Sequence, residues 1–286
     1  MLKILAIGDF HGKFPKKLKN EAEKADIILC IGDFAGIEGW RPYLLYCYKF
    51  YAKGLKPEKS TIEFMGEKKY YSLIREDNLA GRKILTEINK IKKKIIYVFG
   101  NGDDGFYSYP FGKFFEAEKS NTSFIKKLKN MKNITYGRAV FKGISFIGFG
   151  GYMDIDAYLK DKKNERYKKI LERRKKSEKN FYSRLKKFKK NDIFVFHYPP
   201  RGFFDVINAK DGNPMNGKSA GVGFFTDAIK KYKPLFVVCG HMHEYQGVKK
   251  LGKTQIIATG AASEGKAALI LLDEKKKRVL NVKFLR

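Results

Sequence analysis

The stretch LKILAIGDFHG occupies residues 2–12, and the reading of the fold turns on where its apolar half stops. Leu2 to Ile7 form a short, nearly continuous apolar run, which reads as a buried strand. Gly8 ends it, and Asp9 and His11 follow at once. The same grammar returns in DIILCIGDF (26–34), KIIYVFGNGDDGF (94–106), DIFVFHYPP (192–200) and LFVVCGHMHE (235–244). Each run ends on a polar residue where a loop begins, and all but DIFVFHYPP pass into the loop through a glycine.

Helical patterns fall between several of these runs, at KILTEINKIKKK (83–94) and FFTDAIKKY (224–232). Strands alternating with helices predict an α/β fold with a parallel or mixed sheet and helices packed outside. Residues 139–151, 246–260 and 267–286 read instead as strand-turn-strand pairs, with Gly143, Gly252 and DEKKKR (273–278) at the turns. Antiparallel strands are therefore expected in the second half. No internal repeat and no Gly/Ser linker divides the chain, so residues 1–286 are expected to form a single domain. Its aromatic-rich stretch WRPYLLYCYKFYAKGL (40–55) opens a helical insertion that reaches to about residue 80.

The 286 residues are 43% hydrophobic and 15% aromatic, enough for a sizeable core. The N-terminus lacks a signal-peptide pattern, and no apolar run reaches the roughly 18 residues of a membrane span, so a soluble cytoplasmic protein is expected. Cys30, Cys47 and Cys239 are an odd set in apolar surroundings and are expected to be buried thiols. Sixty basic against 30 acidic residues give a net charge of +30, which attracts polyanions. Residues 160–190 alone hold 16 basic and 4 acidic residues. The spacing of Tyr167, Ile170, Leu171, Phe181, Leu185 and Phe188 there predicts an amphipathic helix around 158–190, whose lysine face is either solvated or a contact for nucleic acid or a membrane surface.

In an open α/β sheet, ligands gather at the carboxyl ends of the strands. There this chain places Asp9, His11, Asp33, Asn101, His197, His241 and His243, which include all four of its histidines. A lone histidine on an apolar strand is usually a satisfied core residue, but four of four at equivalent positions beside two aspartates are not explained that way. Imidazole, carboxylate and amide donors without thiolates suit divalent ions such as Mn, Fe, Zn or Mg. Seven donors exceed one ordinary site and match two metals that share a carboxylate, an arrangement able to clamp both oxygens of an in-line displacement at phosphorus.

These blocks, in this order, resemble the calcineurin-like metallophosphoesterase superfamily. Its signature of D-x-H, G-D, G-N-x-[DE], a lone H and G-H-x-H is matched by GDFHG, GDF, GNGD, FHYPP and GHMHE between Asp9 and His243. HYPPRGFFD (197–205) is similar to the wording of a prokaryotic branch of small phosphoesterases and phosphodiesterase-like proteins. The resemblance implies an α/β/β/α sandwich of two mixed sheets flanked by helices. It also implies two divalent ions per chain, Mn first, with Fe, Zn, Ni or Mg as alternatives. Asp9, His11 and His243 would hold one ion, Asn101, His197 and His241 the other, and Asp33 would bridge them. The implied chemistry is phosphoester hydrolysis through attack of a metal-bridging hydroxide, with Asp9 and Asp33 as ligands and not as acid-base groups.

GNGDDG departs from the family. Many members follow the asparagine with a histidine that assists the leaving group, whereas this chain has Gly102 and keeps Asp103. Loss of such an acid costs about 10²–10⁴-fold when the leaving alkoxide needs a proton. Phosphodiesters or activated phosphoesters are therefore the expected substrates, with Gly102 leaving room for a second ester substituent. Asp103 and Arg201 are the candidates for a catalytic role, with Asp104 a further one, and Arg201 and Lys218 are the candidates for binding substrate phosphate.

Two alternatives compete with the hydrolase. One is a non-catalytic interaction scaffold on the same fold, which the intact histidines oppose. The other rests on GNPMNGKS (212–219), which fits the phosphate-loop pattern G-x-x-x-x-G-K-[ST] but follows a poor strand and contains Pro214.

Overall fold

The computed structural model describes residues 1–106, 117–155, 167–186 and 193–286. The run that opens the chain forms β1 (Leu2–Ile7), with five of six residues buried. Near-continuous burial means that both faces of the strand are covered. β1 lies inside a six-stranded sheet in which β2 (Ile27–Cys30), β3 (Lys94–Tyr97) and β4 (Met131–Asn133) follow in parallel on one side. On the other side lie β11 (Ala267–Asp273) and β12 (Arg278–Leu285), both antiparallel to their neighbours.

A second six-stranded sheet has the order β5 (Arg138–Phe141), β6 (Ile144–Phe149), β7 (Ile193–Phe196), β8 (Phe236–Cys239), β10 (Thr254–Thr259) and β9 (Gln246–Leu251). Its four inner strands are parallel, and both edge strands are antiparallel. The three strand-turn-strand pairs are thus β5–β6, β9–β10 and β11–β12. The first turns through Lys142 and Gly143, with φ of 47° and 74°, values that a left-handed hairpin turn requires.

The inner faces of the two sheets meet in an apolar layer of Ile4, Ile96, Phe146, Val195, Val238 and their neighbours. Burying each such side chain contributes about 1.5–3 kcal/mol. On the outer face of the first sheet, Leu18 of α1 (Lys16–Glu23) and Ile84, Leu85 and Ile88 of α4 (Glu67–Lys90) pack on Leu5, Ile28 and Ile95. On the outer face of the second, Phe181 of α6 (Tyr167–Leu185) and Phe225 and Ile229 of α7 (Gly223–Tyr232) pack on Phe149, Phe194 and Phe196. Helices, sheet, sheet and helices stack as an α/β/β/α sandwich, the layering implied by the sequence motifs.

Two helices differ from their expected bounds. The pattern at 83–94 is the C-terminal end of the 24-residue α4, whose buried stripe of Tyr70, Leu73, Gly81, Ile84 and Ile88 begins before the apolar residues become dense. The helix stops at Lys90, and Lys94 already belongs to β3. The insertion folds as α2 (Arg41–Tyr51), α3 (Thr61–Met65) and the first turns of α4. Ser60 and Glu63 close a capping box at the start of α3, and Gly66, at φ 82°, separates it from α4.

In α6 the lysines Lys168, Lys169, Lys175 and Lys179 are exposed, while the buried stripe is Ile170, Arg174, Ser177, Phe181 and Leu185. Arg174 belongs to that stripe because its guanidinium lies 4.5 Å above the Phe224 ring and donates to the Asp154 carbonyl at 3.1 Å. Phe188 and the flanks 156–166 and 187–192 lie outside the described residues. Cys30, Cys47 and Cys239 are buried and form no disulfide. No described helix is long and apolar enough to cross a membrane.

Candidate metal centre

The loops that follow β1, β2, β3, β7 and β8 converge at one edge of the sandwich. Their backbones are stitched together before any side chain acts: Phe10 and His11 donate N–H to the Asp33 carbonyl at 2.8 and 2.9 Å, and Gly240 donates to the His197 carbonyl at 3.0 Å. Asp9, His11, Asp33 and His241 have φ of 56°, 45°, 53° and 69°. Such left-handed values are uncommon for residues with side chains and cluster where function holds them.

Two groups of donors result. Asp9, His11 and His243 form one, and Asp33, His197 and His241 the other; within each, the ligand atoms lie within 4.8 Å of one another. Asn101 joins the second, its Oδ1 2.9 Å from His197 Nε2. Asp33 stands between the groups, with Oδ2 3.8 Å from His11 Nε2 and 3.6 Å from His197 Nε2.

Backbone carbonyls set the imidazole tautomers. His11 Nδ1 lies 2.7 Å from the Gly36 carbonyl, and His197 Nδ1 lies 2.8 Å from that of Ile31. A carbonyl only accepts, so each Nδ1 carries a hydrogen, and Nε2, which faces the gap, is the nitrogen left to ligate when the ring carries no second proton. The site therefore presents imidazole lone pairs and carboxylate oxygens converging on two points, which is a donor set that fits divalent cations.

Electrostatics agree with that fit at His241 and Asp9. Burial, reinforced by neighbouring His197, holds His241 well below the usual imidazole pKa, in the neutral form that ligates. Burial alone would raise Asp9, but the hydrogen bond and charge of His243 outweigh it and bring Asp9 down to about 2. The same pair raises His243 against the effect of its burial. Asp9 is further aligned by the His241 N–H, 3.0 and 3.1 Å from its two oxygens.

Glycines let these groups approach. A Cβ on Gly100 would collide with Asp33 Oδ1 and lie 2.6 Å from His197 Cε1, and one on Gly240 would collide with Asp9 Oδ2. The glycines before Asn101 and His241 are thus required for close approach as well as ending their runs.

Asp103 is not positioned to touch a substrate. It is fully buried, and its oxygens accept N–H groups from Asp33 at 2.8 Å, Gly100 at 2.8 Å and Ala35 at 3.0 Å. It anchors the second and third loops to each other, in place of the catalytic part expected for it. The space beside Gly102 is also taken: a Cβ there would lie 3.0 Å from Gly36 Cα and 3.4 Å from the Ala35 carbonyl. Gly102 serves a close crossing of two backbones, and its N–H donates to Asp33 Oδ1 at 2.7 Å. Asp104's side chain lies outside the described residues.

Arg201 is exposed on the loop after β7, its N–H bound to the Val222 carbonyl at 3.2 Å. Lys218 donates from Nζ to the Ala52 carbonyl at 2.7 Å, clasping its loop to the end of α2. The phosphate-loop pattern around it lacks its context, since β7 ends at Phe196 and α7 starts only at Gly223. The carbonyls of Ile31 and Gly36, which orient two of the imidazoles, went unseen in the sequence because backbone groups leave no residue-type signal.

A family model described as metallophosphoesterase, calcineurin superfamily, matches residues 1–282. The chain belongs to this superfamily. Metallophosphoesterase membership implies a dimetal centre, for which the two donor groups are the candidate ligands among the described residues. The chain is thereby a metal-dependent phosphoesterase by family. No curated protein matches it by sequence. Among solved structures, a crystal structure at 19% identity covers 99% of both chains with a TM-score of 0.65. The phosphopantetheinyl hydrolase PptH from Mycobacterium tuberculosis, at 14% identity, covers 92% of this chain and 90% of its own with a TM-score of 0.53. At these identities both likenesses speak for the fold alone.

Proposed function

We propose that this metallophosphoesterase is a binuclear hydrolase acting as one domain, with preference for phosphodiesters or activated phosphoesters. The observation that carries the reading is the place of Asp33, whose Oδ2 faces His11 Nε2 at 3.8 Å and His197 Nε2 at 3.6 Å from between the two donor groups. Asp9, His11 and His243 would hold one ion, Asn101, His197 and His241 the other, with Asp33 shared; Mn is the first expectation for an imidazole, carboxylate and amide set. Two such ions would supply an acidified water and neutralise charge on the phosphoryl oxygens. The chain's own part is to hold the donors in fixed directions, through the Gly36 and Ile31 carbonyls on the imidazoles and the His241 N–H on Asp9. Arg201 and Lys218 remain our candidates for contact with the substrate phosphate, Arg201 through its planar guanidinium.

The substrate preference rests on proton supply. All four histidines belong to the donor groups or their partners, Gly102 brings no imidazole, and Asp103 is buried beneath the site. A leaving group must then depart without an imidazole acid, which penalises alkoxides by about 10²–10⁴-fold and spares good leaving groups. The space beside Gly102, taken by Ala35 and Gly36, does not contribute. With Mn present, kcat/KM for bis-p-nitrophenyl phosphate is expected to exceed that for simple alkyl monoesters by about 10² or more. Faster turnover of the monoesters by the unaltered chain would end the diester reading while leaving the hydrolase reading in place.

A further inference from the structure

One turn of α4 reaches three of the metal-site loops, and none of its residues belongs to the sequence motifs. Asp77 accepts N–H from both Gly36 and Ile37 on the same oxygen, Oδ1, at 2.7 and 2.8 Å. Gly36 is the residue whose carbonyl lies 2.7 Å from His11 Nδ1. Ala80 packs so close to Gly12 that a Cβ on that glycine would lie 3.0 Å from Ala80 Cβ. A Cβ on Gly81 would meet Phe106 at 2.6 Å and Ala35 at 3.0 Å. Asn78 Oδ1 accepts from Asn121 Nδ2 at 2.5 Å, and the same amide nitrogen donates to the Gly105 carbonyl at 2.6 Å. Asn121 lies on α5 (Ala117–Lys126) and is fully buried.

We propose that Asp77 is a positioning residue for the metal site, acting through the Gly36 peptide on the ring of His11. Gly36, with φ at 79°, is free of a side chain's restraint, so its peptide plane needs an external hold. Asp77 Oδ1 supplies that hold at the Ile37 N–H, which shares one peptide plane with the Gly36 carbonyl, and that carbonyl then fixes the His11 Nδ1 hydrogen and so the direction of Nε2. Burial pushes the Asp77 carboxyl up to about 6 against the pull of those two N–H groups and of the Trp40 side chain, so the group stands where its charge costs stability. A carboxylate placed at that cost and aimed at the loop behind a ligand is accounted for by orientation of the ligand. The inference rests on the metal-site reading, and its test separates the two.

Metal-free wild type, Asp77→Ala and Asp77→Asn are titrated with Mn(II) by calorimetry, with folding followed by circular dichroism. Wild type is expected to bind two ions. Asp77→Ala is expected to lose about 10–100-fold in affinity for one of them, the usual effect of removing a group that orients a ligand. Asp77→Asn keeps an oxygen that accepts the same two N–H groups and is expected to bind like wild type. A merely structural role would lower the melting temperature and leave the affinity of the folded variant unchanged; unchanged affinity in Asp77→Ala overturns the proposal, as does an Asp77→Asn that loses affinity like the alanine variant. Failure of wild type to bind metal would instead overturn the metal-site reading on which the proposal stands. Should Asp77→Ala not fold, amide hydrogen exchange in wild type decides: by reciprocity, Mn must slow exchange at Gly36 and Ile37, and exchange indifferent to Mn overturns the proposal.

Discussion

Asp33→Asn is expected to cut Mn-dependent phosphoester hydrolysis by about 10³-fold or more, about 4 kcal/mol of transition-state stabilisation, with little change in melting temperature. The substitution is nearly isosteric. It keeps an oxygen for the Gly102 N–H now 2.7 Å from Oδ1, and so preserves the crossing of the second and third loops. What it removes is the negative charge between the two donor groups and, at Oδ2, a lone-pair centre facing His11 and His197, which an NH₂ would replace. Metal content and steady-state kinetics on the same preparation check it. Full activity with two ions bound would mean that Asp33 is not shared between the metals.

Asp103→Ala is expected to act on stability first. It strands the N–H groups of Asp33, Ala35 and Gly100 in a fully buried place. Each such orphan costs about 1–3 kcal/mol, and the three share one site, so a total of roughly 3–5 kcal/mol follows. For a chain of this size that lowers the melting temperature by about 6–20 °C. Metal affinity should fall with it, because Asp33 and the turn before Asn101 lose their common anchor. Thermal unfolding with and without Mn measures both effects. An alanine variant as stable as wild type, with metal bound but chemistry lost, would return Asp103 to a catalytic part.

The contrast between Asp33 and Asp103 shows what could be read in advance. Strand ends were legible because a glycine and a polar residue close each apolar run, and the donors were legible because the chain spends all four of its histidines there. Two carboxylates in adjacent motifs look alike in a sequence, and both are buried; only their partners separate Asp33, whose Oδ2 faces His11 and His197, from Asp103, whose oxygens are taken by three backbone N–H groups. Gly102 illustrates the same limit. Its missing side chain read as open space, whereas Ala35 and Gly36 fill that space from a loop 66 residues earlier. Helix α4 was half seen, since its first turns carry charged residues among the buried ones, and the turn that holds Gly36 contains no motif. Backbone donors and acceptors, which orient His11, His197 and Asp9, have no residue-type signature at all.

Metal loading followed by turnover tests the central claim most directly. Chain stripped of metal and then equilibrated with Mn should bind two ions and hydrolyse bis-p-nitrophenyl phosphate, with activity lost on chelation and restored by Mn. Less than one divalent ion per chain, together with no hydrolysis under added Mn, would contradict the account.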